Sequence, residues 1–404
     1  MKKRAVTILL CLALALFSIL RAYAQEESEA DAVISENGKQ SIVPAGTNDF
    51  DVPCAAAILI DEDSGTVLYE KNADEQRPIA SITKVMTLLL TFEALEEGKI
   101  SWEDYVPISE HAYSMGGSQI WLEPGEQMTL NDMLKAICVS SANDAAVAVA
   151  EYVGGSEPAF VQKMNEKAAA LGMTQTHFEN ACGLDQEGHL SSARDVAIMS
   201  REMLLHHTEV RDYCSIWTDT LRDGATQLVN TNKLLKSYSG ITGLKTGTTS
   251  KAGVCISASA ERDDLRLIAV VLGSASGKER FEAATALLDY GFANYENAVA
   301  ELPEDAPATL PVTRGTTDAV ALQYDAPQKY LMPKGQGKTL ELTVELPEVL
   351  QAPVERGAQI GTVHLTNGGE ELQTFSITAA QDVDALSFGY CFGLLVQSLA
   401  LCDG

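Results

Sequence analysis

Arg77-Pro78-Ile79-Ala80-Ser81-Ile82-Thr83-Lys84-Val85-Met86-Thr87 is the stretch from which the fold and chemistry of this 404-residue chain can be read, with Ala80-Ser81-Ile82-Thr83-Lys84 at its centre. A serine hydroxyl is a poor nucleophile until a nearby base takes its proton. A lysine three residues further along a helix lies on the same face as that serine and reaches its oxygen. Val85, Met86, Leu88, Leu89, Leu90, Phe92 and Leu95 form a nearly continuous apolar run, so the helix is expected to be buried on most sides and to stop at Gly98. Burial would desolvate Lys84 and lower its pKa, making the neutral amine accessible. The simpler alternative is a helix with Ser81 as its N-cap and Lys84 in water. A chain of this length holds roughly one S-x-x-K by chance, so the motif alone decides nothing.

Outward from this stretch the pattern mixes helices and strands. Upstream, the apolar residues 55–60 and 66–69 flank a polar turn ending in Gly65, a hairpin signature. Downstream, Thr129 opens an Ala-rich helical stretch over residues 130–153, closed by Gly154-Gly155. Helical periodicity recurs over 156–171, 192–205 and 280–295, and a second hairpin joins 253–260 to 265–272 through Glu261-Arg262-Asp263-Asp264. Hairpins rather than steady βαβ units predict an α+β domain, an antiparallel sheet flanked by helices, over residues 52–298. Seven prolines from Pro303 to Pro353 then punctuate short alternating runs, which predicts a small all-β domain over 301–381.

The ends and the composition set the surroundings. Met1-Lys2-Lys3-Arg4, an apolar stretch and Ala22-Tyr23-Ala24 read as a secretory signal over residues 1–24, with a permanent N-terminal anchor as the alternative. Residues 25–51 are acidic and aperiodic and are expected to form a disordered leader. A formal charge of −27 argues against nucleic-acid binding by the folded body. The cysteines show no C-x-x-C pairing and no histidine partners at metal spacing, so neither a metal site nor a disulfide framework is expected. Residues 385–402 carry no charge, and a tail that attaches to a membrane surface, by lying in it or entering it, is expected there. A last core helix is the alternative.

Two further triplets follow Ser81 in chain order: Ser141-Ala142-Asn143 and Lys245-Thr246-Gly247. Each is weak alone, and Ser141 and Asn143 could be ordinary polar residues of an Ala-rich helix. All three in order are far less probable by accident. Here the chain resembles the low-molecular-mass penicillin-binding D-alanyl-D-alanine carboxypeptidases of the serine transpeptidase and β-lactamase superfamily. The likeness extends through Leu68-Tyr69-Glu70-Lys71-Asn72, Gly183-Leu184-Asp185-Gln186-Glu187-Gly188-His189, Ala193-Arg194-Asp195-Val196-Ala197, Asn232-Lys233-Leu234-Leu235 and Lys251-Ala252-Gly253.

The resemblance implies a serine carboxypeptidase that needs no cofactor and is inhibited by β-lactam antibiotics, its partners being peptidoglycan stem peptides ending in D-Ala-D-Ala. It implies Ser81 as nucleophile and Lys84 as base, although the acylation base in this superfamily is disputed. Ser141 would relay a proton and Asn143 would hold substrate and lysine. Lys245, Thr246, Gly247 and Thr248 would receive the substrate carboxylate, with Arg280 assisting, or else Arg280 is a solvated helix residue. The backbone N–H groups of Ser81 and Thr248 would form the oxyanion hole. The location implied is the outer side of the cytoplasmic membrane. His189 and Arg194 are expected to shape a loop. The chain departs from the family in having Thr242-Gly243 before the Lys-Thr-Gly triplet and in lacking basic residues in its tail. Two rival readings remain: a β-lactamase, opposed by the absence of a deacylating glutamate with an asparagine four residues on, and a penicillin-binding sensor or docking protein with little turnover.

Overall fold

The computed structural model describes residues 39–41 and 50–401. The expected signal segment, residues 1–24, lies outside the described residues, as does most of the stretch read as a leader.

A five-stranded antiparallel sheet forms the spine of the first domain, in the order Val67–Lys71, Ala56–Asp61, Leu265–Ser274, Gly253–Arg262, Ile241–Thr249. Both expected hairpins are present in it. Every residue of Ala56–Asp61 is buried, because both faces of the sheet are covered. Alternation sorts them: Ala56, Ile58 and Ile60 join one apolar core, while Ala57 and Leu59 join the other. The first core is the larger and takes in the helices Lys84–Glu96, Asn143–Gly154, Glu157–Ala170 and Ala193–His206. The second lies beneath the helix Gly277–Asn294, through Ala283, Ala284, Leu287 and Leu288. That helix begins three residues before the expected start because Ser276 caps it, accepting from the Glu279 N–H. Ile241–Thr249 is an edge strand, so one side of its backbone is free to pair with an extended ligand.

Two expectations are corrected. Residues 130–153 are not one helix. An α-helix, Leu130–Lys135, passes into a π-turn, Ala136–Ser140; Ser141 is left-handed at φ 61°, and a new helix runs Asn143–Gly154. Periodicity alone does not reveal this break, since Ile137, Cys138, Val139 and Ala142 are all buried. The break lifts Ser141 and Asn143 out of the helical register. Within the stretch read as a disordered leader, Lys39–Ser41 pairs in parallel with Lys329–Pro333.

Lys329–Pro333 also pairs with Tyr295–Val299, the strand that directly follows the helix Gly277–Asn294. Beyond it comes a six-stranded sheet in the order Leu340–Glu345, Gln359–Asn367, Glu370–Ala379, Ala319–Tyr324, Thr309–Thr313, Leu350–Gln351. Its cores, around Val363, Leu365 and Ile377 and around Val320, Ala352 and Val383, are small. The tail forms a helix, Phe388–Leu401. Phe388, Phe392 and Leu395 are exposed, so it is not a core helix. Among the described residues no helix is long and apolar enough to cross a membrane.

Candidate active site

The turn that presents Ser81 is tight. Ala80–Thr83 is a 3-10 turn that passes into the α-helix at Lys84, rather than the start of a continuous α-helix. Ala80, immediately before the serine, sits at φ 51°, an unfavourable left-handed conformation for a residue with a Cβ. Two glycines from other segments clamp it. A Cβ on Gly183 would fall 1.9 Å from the Ala80 carbonyl oxygen and 3.0 Å from the Ser81 nitrogen. A Cβ on Gly247, in the edge strand, would fall 2.8 Å from the Ile79 oxygen and 3.0 Å from the Ser81 nitrogen. The serine is thus wedged between a loop and the Lys-Thr-Gly strand, and only glycine allows that approach.

Lys84 lies fully buried behind Ser81. Its Nζ is 2.9 Å from Ser81 Oγ, 2.6 Å from Asn143 Oδ1 and 2.6 Å from the Cys182 carbonyl oxygen. Desolvation pushes its pKa down to about 8, opposed by the weaker pull of Cys182 and Asp144. The donor count adds direction. Neither the Asn143 amide oxygen nor the Cys182 carbonyl can give a proton, so a neutral amine must spend both its N–H bonds on them. Its lone pair is then left for the hydroxyl of Ser81.

Ser141 and Lys245 form the opposite wall. Lys245 Nζ donates to Ser141 Oγ at 2.8 Å and to the Thr246 carbonyl oxygen at 2.9 Å. Buried as well, Lys245 has its pKa lowered to about 7, first by desolvation and next by the charge of Lys84. Asn143 is fixed on both sides: Nδ2 donates to the Gly116 oxygen at 2.7 Å and its backbone N–H to the Ser118 oxygen at 2.7 Å. The Thr246 hydroxyl is engaged with that of Thr231 at 2.6 Å, whereas Thr248 is exposed, its hydroxyl donating to the Gly247 oxygen. Arg280 reaches the back of the same strand, donating to the Gly247 oxygen at 3.4 Å and the Cys255 oxygen at 3.2 Å. It is 8% exposed, which sets aside the solvated-helix alternative, and burial lowers its pKa to about 10. Its Nε has no hydrogen-bond partner among the described residues. The nine residues singled out from the sequence therefore gather around one cleft.

From the loop facing Ser81 the sequence singles out only His189 and Arg194, as shaping residues, and not the groups that present its backbone to Lys84. Asn180 Oδ1 accepts from the N–H groups of Cys182, Gly183 and Leu184, folding the turn that aims the Cys182 carbonyl at Lys84. Thr87 Oγ1 donates to the Ala181 oxygen, and the Ala181 N–H donates to buried Glu157. His189 Nδ1 accepts the Glu179 N–H, so its Nε2 carries the proton and donates to Thr83 Oγ1 at 2.7 Å. Burial holds this histidine neutral, its pKa pushed down to about 4. Arg194 pairs with Asp74 and Glu70. Gly183 was the available signal; a backbone carbonyl such as that of Cys182 leaves no mark in a sequence.

Comparison with known proteins follows this geometry. The family description D-alanyl-D-alanine carboxypeptidase matches residues 43–276, and that of the penicillin-binding protein 5 C-terminal domain matches residues 303–385. The chain is 43% identical to the D-alanyl-D-alanine carboxypeptidase DacF of Bacillus subtilis over 337 residues, 82% of this chain and 86% of that one. Among solved structures it is similar to penicillin-binding protein 5 from Haemophilus influenzae, with TM-score 0.73, 32% identity, and 84% and 100% of the two chains covered. It is also similar to penicillin-binding protein D2 from Listeria monocytogenes in its cefotaxime-bound form, with TM-score 0.57, 34% identity, and 61% and 100% covered.

Proposed function

The chain belongs to the D-alanyl-D-alanine carboxypeptidase family, and from that premise we propose that it acts as a serine enzyme, with Ser81 as nucleophile and Lys84 as its base. The observation that carries the reading is Lys84: fully buried, pKa lowered to about 8, and 2.9 Å from Ser81 Oγ with two carbonyl acceptors orienting it.

The substrate peptide lies along the free side of Ile241–Thr249, its terminal carboxylate near Lys245, Thr248 and Arg280. Thr246 and Gly247 contribute backbone there, and the absent side chain of Gly247 leaves room. Burial lowers the pKa of both lysines, Lys84 to about 8 and Lys245 to about 7, so the pair gives up one proton readily. A carboxylate beside Lys245 favours the ammonium form there and holds the remaining proton on it, leaving Lys84 neutral. Lys84 takes the Ser81 proton as Oγ attacks the carbonyl between the two D-alanines. The N–H groups of Ser81 and Thr248 stabilise the oxyanion, a contribution of about 3–4 kcal/mol per donor in well-studied hydrolases. Ser141 passes the proton to the leaving amine, D-alanine departs, and water hydrolyses the acyl-enzyme.

A β-lactam presents a carboxylate and a strained amide to the same groups and acylates Ser81. The enzyme works outside the cytoplasm, in the cell envelope. The Phe388–Leu401 helix, about 21 Å long at 1.5 Å per residue, is shorter than a bilayer core. It holds the protein to the outer face of the cytoplasmic membrane by lying in the interface, exposed Phe388, Phe392 and Leu395 inward.

Incubation of residues 25–384 with fluorescent penicillin and with a pentapeptide ending in D-Ala-D-Ala tests the reading. Stable label and released D-alanine are expected. Rapid loss of label would instead mark a β-lactamase, and label without D-alanine a sensor.

A further inference from the structure

Glu157 stands in the first turn of the helix Glu157–Ala170, a place where an acidic side chain favours the helix from the water side. Here it is buried instead, 9% exposed. The helix end does not require it, because Ser156 already caps it by accepting the Ala159 N–H. A buried carboxylate is costly unless its oxygens are hydrogen-bonded, and both are taken by other parts of the chain. Oε1 accepts the Ala181 N–H at 2.9 Å, and Oε2 accepts from His111 Nε2 at 2.6 Å.

Ala181 precedes Cys182, whose carbonyl holds Lys84. Its backbone is gripped on both sides: the N–H by Glu157, and the carbonyl by Thr87 Oγ1 at 2.6 Å, from the helix that Lys84 opens. With these two bonds in place the next carbonyl, that of Cys182, lies 2.6 Å from Lys84 Nζ. His111 belongs to the other wall. It lies on Glu110–Tyr113, and the same segment continues to Gly116 and Ser118, whose carbonyls fix Asn143, the other side-chain acceptor of Lys84. The His111–Glu157 pair therefore ties together the two segments that carry the acceptors of Lys84.

We propose that Glu157, oriented by His111, is a positioning residue for Lys84: it holds the 180–184 turn against the lysine, with the Cys182 carbonyl aimed at the amine. The proposal rests on the reading of Lys84 as base. Both oxygens of Glu157 are engaged, so it takes no proton in the reaction and acts on Ser81 only through the turn. Without it the Ala181 N–H loses its partner, the turn loosens, and water reaches an amine whose burial is the leading cause of its lowered pKa. Rehydration returns that pKa toward the ordinary lysine range. The other ionisable groups that bear on Lys84, namely Cys182, Asp144 and Lys245, are left as they are.

The test is the second-order rate of acylation by fluorescent penicillin, followed by stopped flow between pH 5.5 and 9.5. Glu157→Ala is expected to lose about tenfold more rate at pH 5.5 than at pH 9.5, because raising Lys84 by about one unit drains the acid limb and leaves the alkaline limb, set by Lys245, in place. A merely structural role would lower both limbs alike. Glu157→Gln keeps an oxygen for the Ala181 N–H and an amide for His111, and should follow wild type within about threefold at every pH. His111→Ala, at an exposed site, should lose about threefold more rate at pH 5.5 than at pH 9.5. It carries the test if circular dichroism shows that Glu157→Ala does not fold. Equal losses on the two limbs overturn the proposal, as does a Glu157→Gln protein impaired as much as Glu157→Ala. Either result leaves the reading of Lys84 standing, since that fails only if wild-type protein shows no acid limb.

Discussion

Acylation of Ser81 by a penicillin should trace a bell against pH, and the structure sets its width. In the proposed mechanism productive attack needs Lys84 neutral and Lys245 charged, which is a state of the pair with one proton. Lys84 is lowered to about 8 and Lys245 to about 7, in both cases chiefly by burial. The one-proton pair is therefore most populated near pH 7.5 and falls about twentyfold by pH 5.5, where both are ammonium ions, and about as far by pH 9.5. The sign follows from the charges: acid protonates the base, and alkali discharges the carboxylate's partner. Stopped-flow measurement of the second-order acylation rate across this range is the assay. Lys245→Met should lower the rate and leave only the rising limb, moved to higher pH because the repulsion that disfavours a proton on Lys84 is lost. A wild-type rate independent of pH between 5.5 and 7.5 would refute the assignment of Lys84 as base.

Other perturbations separate the parts of the site. Gly183→Ala drives a methyl group to 1.9 Å from the Ala80 oxygen at a position of φ 85°; the shift of about 1 Å it forces on the Ser81 turn should cost about a hundredfold in acylation, read by labelling kinetics. Arg280→Gln removes a charge from behind the Gly247 carbonyl; a rise in KM of about tenfold with a smaller change in kcat is expected from steady-state D-alanine release. Deletion of residues 385–404 removes the exposed Phe388, Phe392 and Leu395; sedimentation with phospholipid vesicles should then fall to background while D-alanine release from a soluble peptide is unchanged.

The side chains that gather at the candidate site and the domain's sheet were both legible in the sequence, because both leave residue-type signatures. Ser81, Lys84, Ser141, Asn143 and Lys245 could be placed by motif order, and Ala56–Asp61 by its apolar run and turn. The break at Ser141 was hidden because the residues around it are as apolar as a continuous helix requires. Tertiary contacts, including Lys245 on Ser141 Oγ and Asp144 beneath residues 120–122, hold the backbone that local preference would not choose. The second acceptor of Lys84 was hidden for another reason: the Cys182 carbonyl is presented by Asn180 and Gly183, and any residue at position 182 supplies the same oxygen. Lys39–Ser41 read as leader because its partner strand, Lys329–Pro333, lies nearly 300 residues away in the chain.

The central claim is that Ser81 forms the covalent bond and Lys84 enables it. Mass spectrometry of the protein after brief exposure to benzylpenicillin, with the peptide carrying the adduct sequenced, tests it most directly. One penicilloyl group on Ser81 is predicted, with none on Ser81→Ala and accumulation slowed by at least about a thousandfold in Lys84→Ala. An adduct on another residue, or undiminished labelling of either variant, would contradict it.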